Sequence, residues 1–453
     1  MQKSRRSESG AGLRKRLYDA AFEYKRGKLW KKLWDSELFS VRLSDGKIGY
    51  VCVMGKAGTL NAVALYVGDE GIGSLRKMAS SDEVSRMCDR QELMLSQDCL
   101  MCSFETMDML RDSERKELRA YCQENGVALR GKNACPHFER YRPCCIPWTM
   151  AGERDQRHLL EALEACMDVV ERLKTETPES LGILSTPDFT GDVPLLERTD
   201  GGYAWGRTTL PSPHPVTYPE GKIAGATAKR VLRRKKRGGE WSVDIFVAPE
   251  AVSDEAQGDE LVTEPVEAPY FPLMMFATDM RTGELMGYTM ARREEYVERF
   301  SEYFGQLLVD VGRPDRLVVC NERAERFCRG IAGQVNVKVE GRDLIPELEE
   351  AIAGLYGSAG ASGYDDYGDY GDFDDVPVGH GDFVVYDGGH DGFGDNGTDQ
   401  GFGDMIAMLS DPAMIQAVPD DLLQELHDMA EMTGAFPPVV VANVKRELNA
   451  RGL

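Results

Sequence analysis

The 453-residue chain contains no run of about 18 apolar residues, the length a helix needs to cross a bilayer, so neither a membrane span nor a membrane partner is expected. Its basic N-terminal stretch, MQKSRRSESGAGLRKRLYDAA, lacks the apolar centre of a secretory signal, which makes the cytoplasm the expected location. Nucleotide-binding signatures are missing as well. The glycines at 55–58 and 71–73 have neither the full GxGxxG context nor the lysine and hydroxyl of a phosphate loop, and are expected to be turns. The Asp- and Gly-rich stretch near the C-terminus lacks the ligand spacing and terminal Glu of an EF-hand loop. No cofactor is expected on these grounds.

What the chain does carry is an ordinary globular composition, 42% hydrophobic and 29% charged, with a formal charge of −22. At roughly 100–200 residues per domain, this length accommodates two or three separately cored domains. The acid is concentrated: residues 357–404 hold twelve Asp and no Lys, Arg or Glu. Such a stretch cannot bury enough apolar surface to offset the entropy of ordering it, so a disordered spacer is expected there. Its charge also argues against a general polyanion-binding surface. Eleven cysteines, nine of them before Met167, are expected to stay reduced, mostly as buried thiols.

Read in order, the chain divides into an α+β N-terminal domain over 1–215, a basic linker over 216–239, an α/β domain over 240–356, the spacer over 357–404 and a helical C-terminal module over 405–453. Apolar returns at Leu17, Ala20, Ala21 and Tyr24 predict a helix from Leu13 to about Trp34, with Trp30 and Trp34 on one face. LFSVRL, KIGYVCVMG and TLNAVALYVG predict an antiparallel meander, helices follow over 70–94, and QDCLMCSFETM predicts another strand. Next come a helix capped by Asp108 and stopped by Gly126, and an irregular Pro- and aromatic-rich loop over 132–150. An amphipathic helix over 153–174 and a hairpin turning at Asp200 to Gly202 complete the domain. The second domain opens with a strand, WSVDIFV, and passes through an acidic insert at 250–267 to a hairpin turned at 279–283. A long helix from about Arg292 to Val311, ended by Gly312, leads to buried strands at Leu317 to Cys320 and Val335 to Val339 with a helix between them.

Cys99 and Cys102 form a CxxC, and Cys135, His137, Cys144 and Cys145 follow closely enough to raise a zinc site. Residues three apart on a strand face opposite ways, so thiols held in the core or in loops are the expectation, with zinc the competing reading. Seven basic residues among the nine from Lys229 to Arg237 could hold a phosphate backbone. No aromatic ring is interleaved with them, so a solvated linker is preferred, with nucleic acid the competing partner at that run.

The order of elements from Pro269 to Gly341, with WSVDIFV before them, resembles the ribonuclease H and integrase-core architecture. In nucleases of that class, carboxylates converge on paired divalent metals that activate water. The resemblance implies Asp244, in a W-x-x-D context, as one such carboxylate. Asn321, ending LVVCN, stands where a second Asp is expected, and Asn is a weak ligand for a hard dication. Glu347 or Glu350 on the last helix would be the third. With the second carboxylate replaced, the expected role is non-catalytic binding or scaffolding with a protein partner, and a metal-dependent nuclease is the competing class. WKKLWDSELFSV, GYVCVMGKAGTLNAVALYVGDEG and PCCIPW are similar to an uncharacterised bacterial domain of unknown function. FPLMMFATDMRTGELMGY through VNVKVEG is similar to a second such domain, often found with the first and sometimes near a zinc-binding SEC-C motif. The SEC-C cysteine and histidine cluster is absent here, so the likeness implies architecture and carries over no metal.

Overall fold

The computed structural model describes residues 10–58, 60–80, 84, 86–253, 268–361 and 451. The chain divides into two units, Met1–His390 and Asp391–Leu453, and every element below belongs to the first. The expected spacer beyond residue 361, the C-terminal module apart from Arg451, and residues 254–267 of the acidic insert lie outside the described residues.

The N-terminal module runs α1 (Gly10–Gly27), β1 (Phe39–Arg42), β2 (Ile48–Met54), β3 (Ala62–Val67), α2 (Gly68–Ala79) and α3 (Met87–Met94). It continues through β4 (Cys99–Glu105), α4 (Asp112–Asn125), β5 (Cys135–Tyr141), β6 (Trp148–Thr149), α5 (Glu153–Arg172), β7 (Asp192–Thr199) and β8 (Gly202–Thr209). The strands form one eight-stranded sheet in the order β6-β5-β4-β3-β2-β1-β7-β8. All neighbours are antiparallel except β1 and β7. Both faces of its centre are covered, which is why β2 and β3 read as continuous apolar runs. Val51 and Val53 face α1 and α5, where Leu17, Tyr24, Leu159 and Leu163 lie buried. Tyr50, Cys52 and Tyr66 face the other way, against Ile72 and Leu75 of α2.

Three expectations for this module are corrected. The first helix stops at Gly27, with Lys28 left-handed at φ 50°, so Trp30 is buried in a short 3-10 turn while Trp34 is 38% exposed. A Cβ at Gly27 would sit 3.0 Å from Val170, so the helix end packs directly on α5. The next helix begins at Asp112 rather than at Asp108: Arg111 is the N-cap, and its backbone N–H donates to Glu114 Oε2 at 2.9 Å. Residues 132–150 are not an irregular loop. They carry β5 and β6, because pairing with β4 satisfies the backbone despite Pro136 within β5 and Pro143 and Pro147 between the two strands.

The second module comprises α6 (Gly225–Arg233), β9 (Glu240–Val247), β10 (Leu273–Asp279), β11 (Leu285–Ala291), α7 (Tyr296–Val311), β12 (Arg316–Val319), α8 (Glu322–Val335), β13 (Lys338–Gly341) and α9 (Pro346–Ala361). Its five strands lie in the order β11-β10-β9-β12-β13, antiparallel across β11, β10 and β9 and parallel across β9, β12 and β13. The alternation of β9 sends Trp241, Val243 and Ile245 towards Phe300, Phe304 and Phe327 of α7 and α8. Phe246 joins the opposite face, with Phe276, Val318 and Leu348 and Ile352 of α9. Helix α6 lies inside the stretch read as a linker, and its Ala228 and Val231 are buried in the α7 and α8 core. The last strand starts later than expected, since α8 runs through Val335 and Asn336 caps it in the left-handed region at φ 54°. Among the described residues, no helix is long and apolar enough to cross a membrane.

Two pieces of the N-terminal module reach the second. One is the PCCIPW loop, where Ile146 N–H donates to Pro269 O at 2.8 Å and Phe271 N–H donates to Cys144 O at 2.8 Å. The other is α3, which lies on the face of β9 that carries Asp244.

Candidate functional site

Asp244 occupies the middle of the central strand of the second sheet, and its side chain is fully buried. Ile245 N–H donates to its Oδ1 at 2.7 Å, Cys320 Sγ donates to its Oδ2 at 3.5 Å, and Asn321 Nδ2 donates to Oδ1. Asn321 lies two residues past the end of β12 and serves as N-cap of α8, its Oδ1 accepting from Ala324 N–H at 2.8 Å. The structure thus brings Asp244 and Asn321 together. Glu350 is exposed, the side chain of Glu347 lies outside what the structure describes, and among the described residues the carboxylate near Asp244 is that of Glu349. Ligand atoms of Asp244, Cys320 and Glu349 lie within 4.8 Å of one another, the one such trio among the described residues.

A guanidinium from the other module joins this group. Arg86, the residue before α3, donates from Nη2 to Asp244 Oδ2 at 2.5 Å and from Nε to Glu349 Oε1 at 2.7 Å. Its Nη1 reaches Asp89 Oδ2 at 3.4 Å. Burial raises the Asp244 carboxyl above its ordinary value, against the opposing pull of Arg86 and the Ile245 N–H. Burial would lower Arg86, but Asp244 and its other neighbours raise it, so it stays protonated. Sequence reasoning missed both Arg86 and Glu349. Glu349 had a signal, since it sits on the apolar stripe of Ile345, Leu348 and Ile352. Arg86 had none, being 158 residues from Asp244.

Six residues further on, α3 carries a second charged contact. Glu92 accepts from Arg323 Nη1 at 2.8 Å and from Arg293 Nη2 at 2.8 Å. Burial would raise its carboxyl, but the two arginines hold it at about 2. Arg293 Nη2 also donates to Cys144 Sγ at 3.1 Å, and the Arg323 guanidinium lies 4.9 Å from the Tyr218 ring centre. One short helix and the residue that caps it thus offer an anion and a cation, each to a buried opposite charge on the second module.

The cysteine and histidine candidates are not brought together. Cys99 and Cys102 belong to cores on opposite faces of the sheet. Cys144 is held beside Arg293, while Cys145 bridges to Tyr270. His137 sits between two carboxylates, with Nε2 at 3.3 Å from Glu114 and Nδ1 at 3.6 Å from Glu139. Within the run from Lys229 to Arg237, Arg234 donates to Val309 O at 2.7 Å, Lys236 pairs with Asp315, and Arg237 pairs with Asp279 at 3.3 Å. Lys229, Arg230, Arg233 and Lys235 are exposed.

Residues 15–184 match a domain of unknown function (DUF7309), and residues 227–356 match another (DUF6930). The chain therefore carries these two domains in tandem. Arg86 and Glu92 come from the first match, and Asp244, Asn321 and Glu349 from the second. Comparison with curated proteins gives no match.

Proposed function

We propose that this tandem pair is a non-catalytic binding protein whose second domain is ribonuclease H-like and whose carboxylate site is closed by the first domain. The strand order supports the fold reading: counted from β9 it is 3-2-1-4-5, with helices after the third, fourth and fifth strands. The observation that carries the functional reading is Arg86. Paired dications need several carboxylates around them to offset their mutual repulsion. Here the two converging carboxylates, Asp244 and Glu349, already share one guanidinium. The remaining neighbours, Asn321 and the Cys320 thiol, are poor ligands for magnesium. Admitting a dication would mean displacing Arg86 from both carboxylates.

The convergence of Asp244 with Glu349 is the observation that favours a second reading, a metal-dependent nuclease. A dication that binds only the folded state stabilises it by mass action, so thermal shift across millimolar magnesium or manganese tests both readings. No shift and no cleavage of DNA or RNA are expected. Metal-dependent cleavage lost in Asp244→Ala would overturn the binding reading. The partner is proposed to be protein, and the exposed cations of α6 offer the alternative surface for nucleic acid.

A further inference from the structure

Strand β11 forms one edge of the second sheet, and among the described residues nothing pairs with its outer side. Edge strands normally carry charge, proline or cover that discourages pairing. Its seven residues, LMGYTMA, carry neither charge nor proline, in a chain that is 29% charged. Leu285, Tyr288 and Met290 are 47%, 55% and 45% exposed. Through the pairs Phe276 with Tyr288 and Met274 with Met290, the last two continue the apolar face that α9 covers further in.

At the start of this strand a cavity of about 220 Å³ opens between the hairpin and α9, with Phe276, Leu285, Ile345 and Leu355 among its walls. Drug-sized ligands occupy roughly 300–1,000 Å³, whereas an apolar cavity of roughly 150 Å³ takes one benzene-sized group. The volume therefore suits a single side chain. Its polar walls are already engaged: Ser242 and Thr278 bond to each other, and Asp279 accepts from Arg237 and from the Arg281 N–H at 3.0 Å. No lining side chain has a buried polar atom without a partner, and most of the wall is apolar, so an apolar guest is favoured.

We propose that β11 and this cavity form a binding site for an extended peptide of a partner protein, which adds a strand to the edge and seats one apolar side chain in the cavity. Backbone hydrogen bonds supply affinity and the cavity supplies selectivity, as in other strand-addition sites. A second copy of the chain is the poorer occupant. The three exposed side chains offer about 300 Å² per chain, against roughly 800 Å² per partner in a stable interface. In a two-fold pairing about Tyr288, Ala291 would meet Leu285, and its methyl group is too small to fill the cavity. This inference deepens the binding reading by naming the partner's chemistry, yet it rests on residues separate from the Arg86 contact. Metal-dependent nuclease activity would sink that reading without touching this one.

The test uses the full-length chain and fluorescein-labelled, end-blocked heptapeptides of alternating Thr and Val around a central Leu. Fluorescence anisotropy is expected to reveal saturable binding. Replacing the central Leu by Asp, or N-methylating the backbone on one edge, should weaken it at least tenfold. Met290→Lys and Ala351→Phe, at exposed positions beside the strand and the cavity, should each weaken it similarly while circular dichroism and melting temperature stay unchanged. Equal binding of the N-methylated peptide, or no saturable binding up to millimolar peptide, would overturn the proposal. So would sedimentation showing a dimer that Met290→Lys dissociates, because the edge would then belong to a second copy.

Discussion

Arg86→Ala isolates the contact on which the functional reading depends. Asp244 is fully buried, and the variant removes its only cationic partner among the described contacts while leaving the carboxylate in place. Breaking a buried ion pair from one side costs about 3–5 kcal/mol. Glu349 adds little, because it is 25% exposed and can turn to water. With the second domain, residues 227–356, as the cooperative unit, roughly 4 °C per kcal/mol translates the loss into a melting-temperature drop of roughly 12–20 °C. Calorimetry measures it, and the cycle with Asp244→Asn apportions it. Asp244→Asn alone should cost less, since Arg86 keeps Glu349 and Asp89. The pH dependence has a definite sign. A carboxyl raised by burial holds its proton more tightly in the folded state, so stability falls as pH rises above its ordinary value near 3.8. Loss of Arg86 raises it further, and the gap between variant and wild type should narrow as pH falls from 7 towards 4. A loss below about 1 kcal/mol at pH 7, or a gap that widens in acid, would refute the reasoning.

A second pH effect comes from His137. Burial would lower its imidazole, but Glu139 and Glu114 raise it to about 9, while Glu114 is itself held near about 2. The histidine contribution is full below its ordinary 6.5 and disappears as pH rises through about 9, whereas that of Glu114 disappears only as pH falls from 4.5 towards about 2. Urea unfolding of His137→Gln should show a loss of roughly 3 kcal/mol at pH 6 and close to none at pH 10. Gly330→Ala would put a Cβ 2.3 Å from the Gly221 carbonyl oxygen, a backbone atom that cannot swing aside. It should cost about 1–3 kcal/mol by denaturation, while Gly333→Ala, in open space on the same helix, should gain up to about 1 kcal/mol. Because Cys99 and Cys102 face different cores, elemental analysis of purified protein should find no stoichiometric zinc.

Much of the architecture was legible in one dimension because it rests on local periodicity. The short apolar run of β12 announced a strand covered on both faces, and the stripes of α5 and α7 announced helices packed by one side. Gly126 and Gly312 stopped helices where their left-handed backbone requires glycine. The nearness of Asp244 and Asn321 follows from placing β12 beside β9, because parallel pairing carries the residues just past β12 alongside Asp244. Periodicity failed where pairing overrode composition: β5 takes strand form in a Pro-rich stretch because β4 offers it hydrogen-bond partners. The site itself was decided in three dimensions. Asp244 reads as a buried carboxylate in any strand, but what neutralises it depends on which charged side chain the folded chain carries to that face. That side chain is Arg86, delivered by a helix of another domain, and a contact between residues so far apart leaves no periodic trace in the sequence because no local backbone geometry links them.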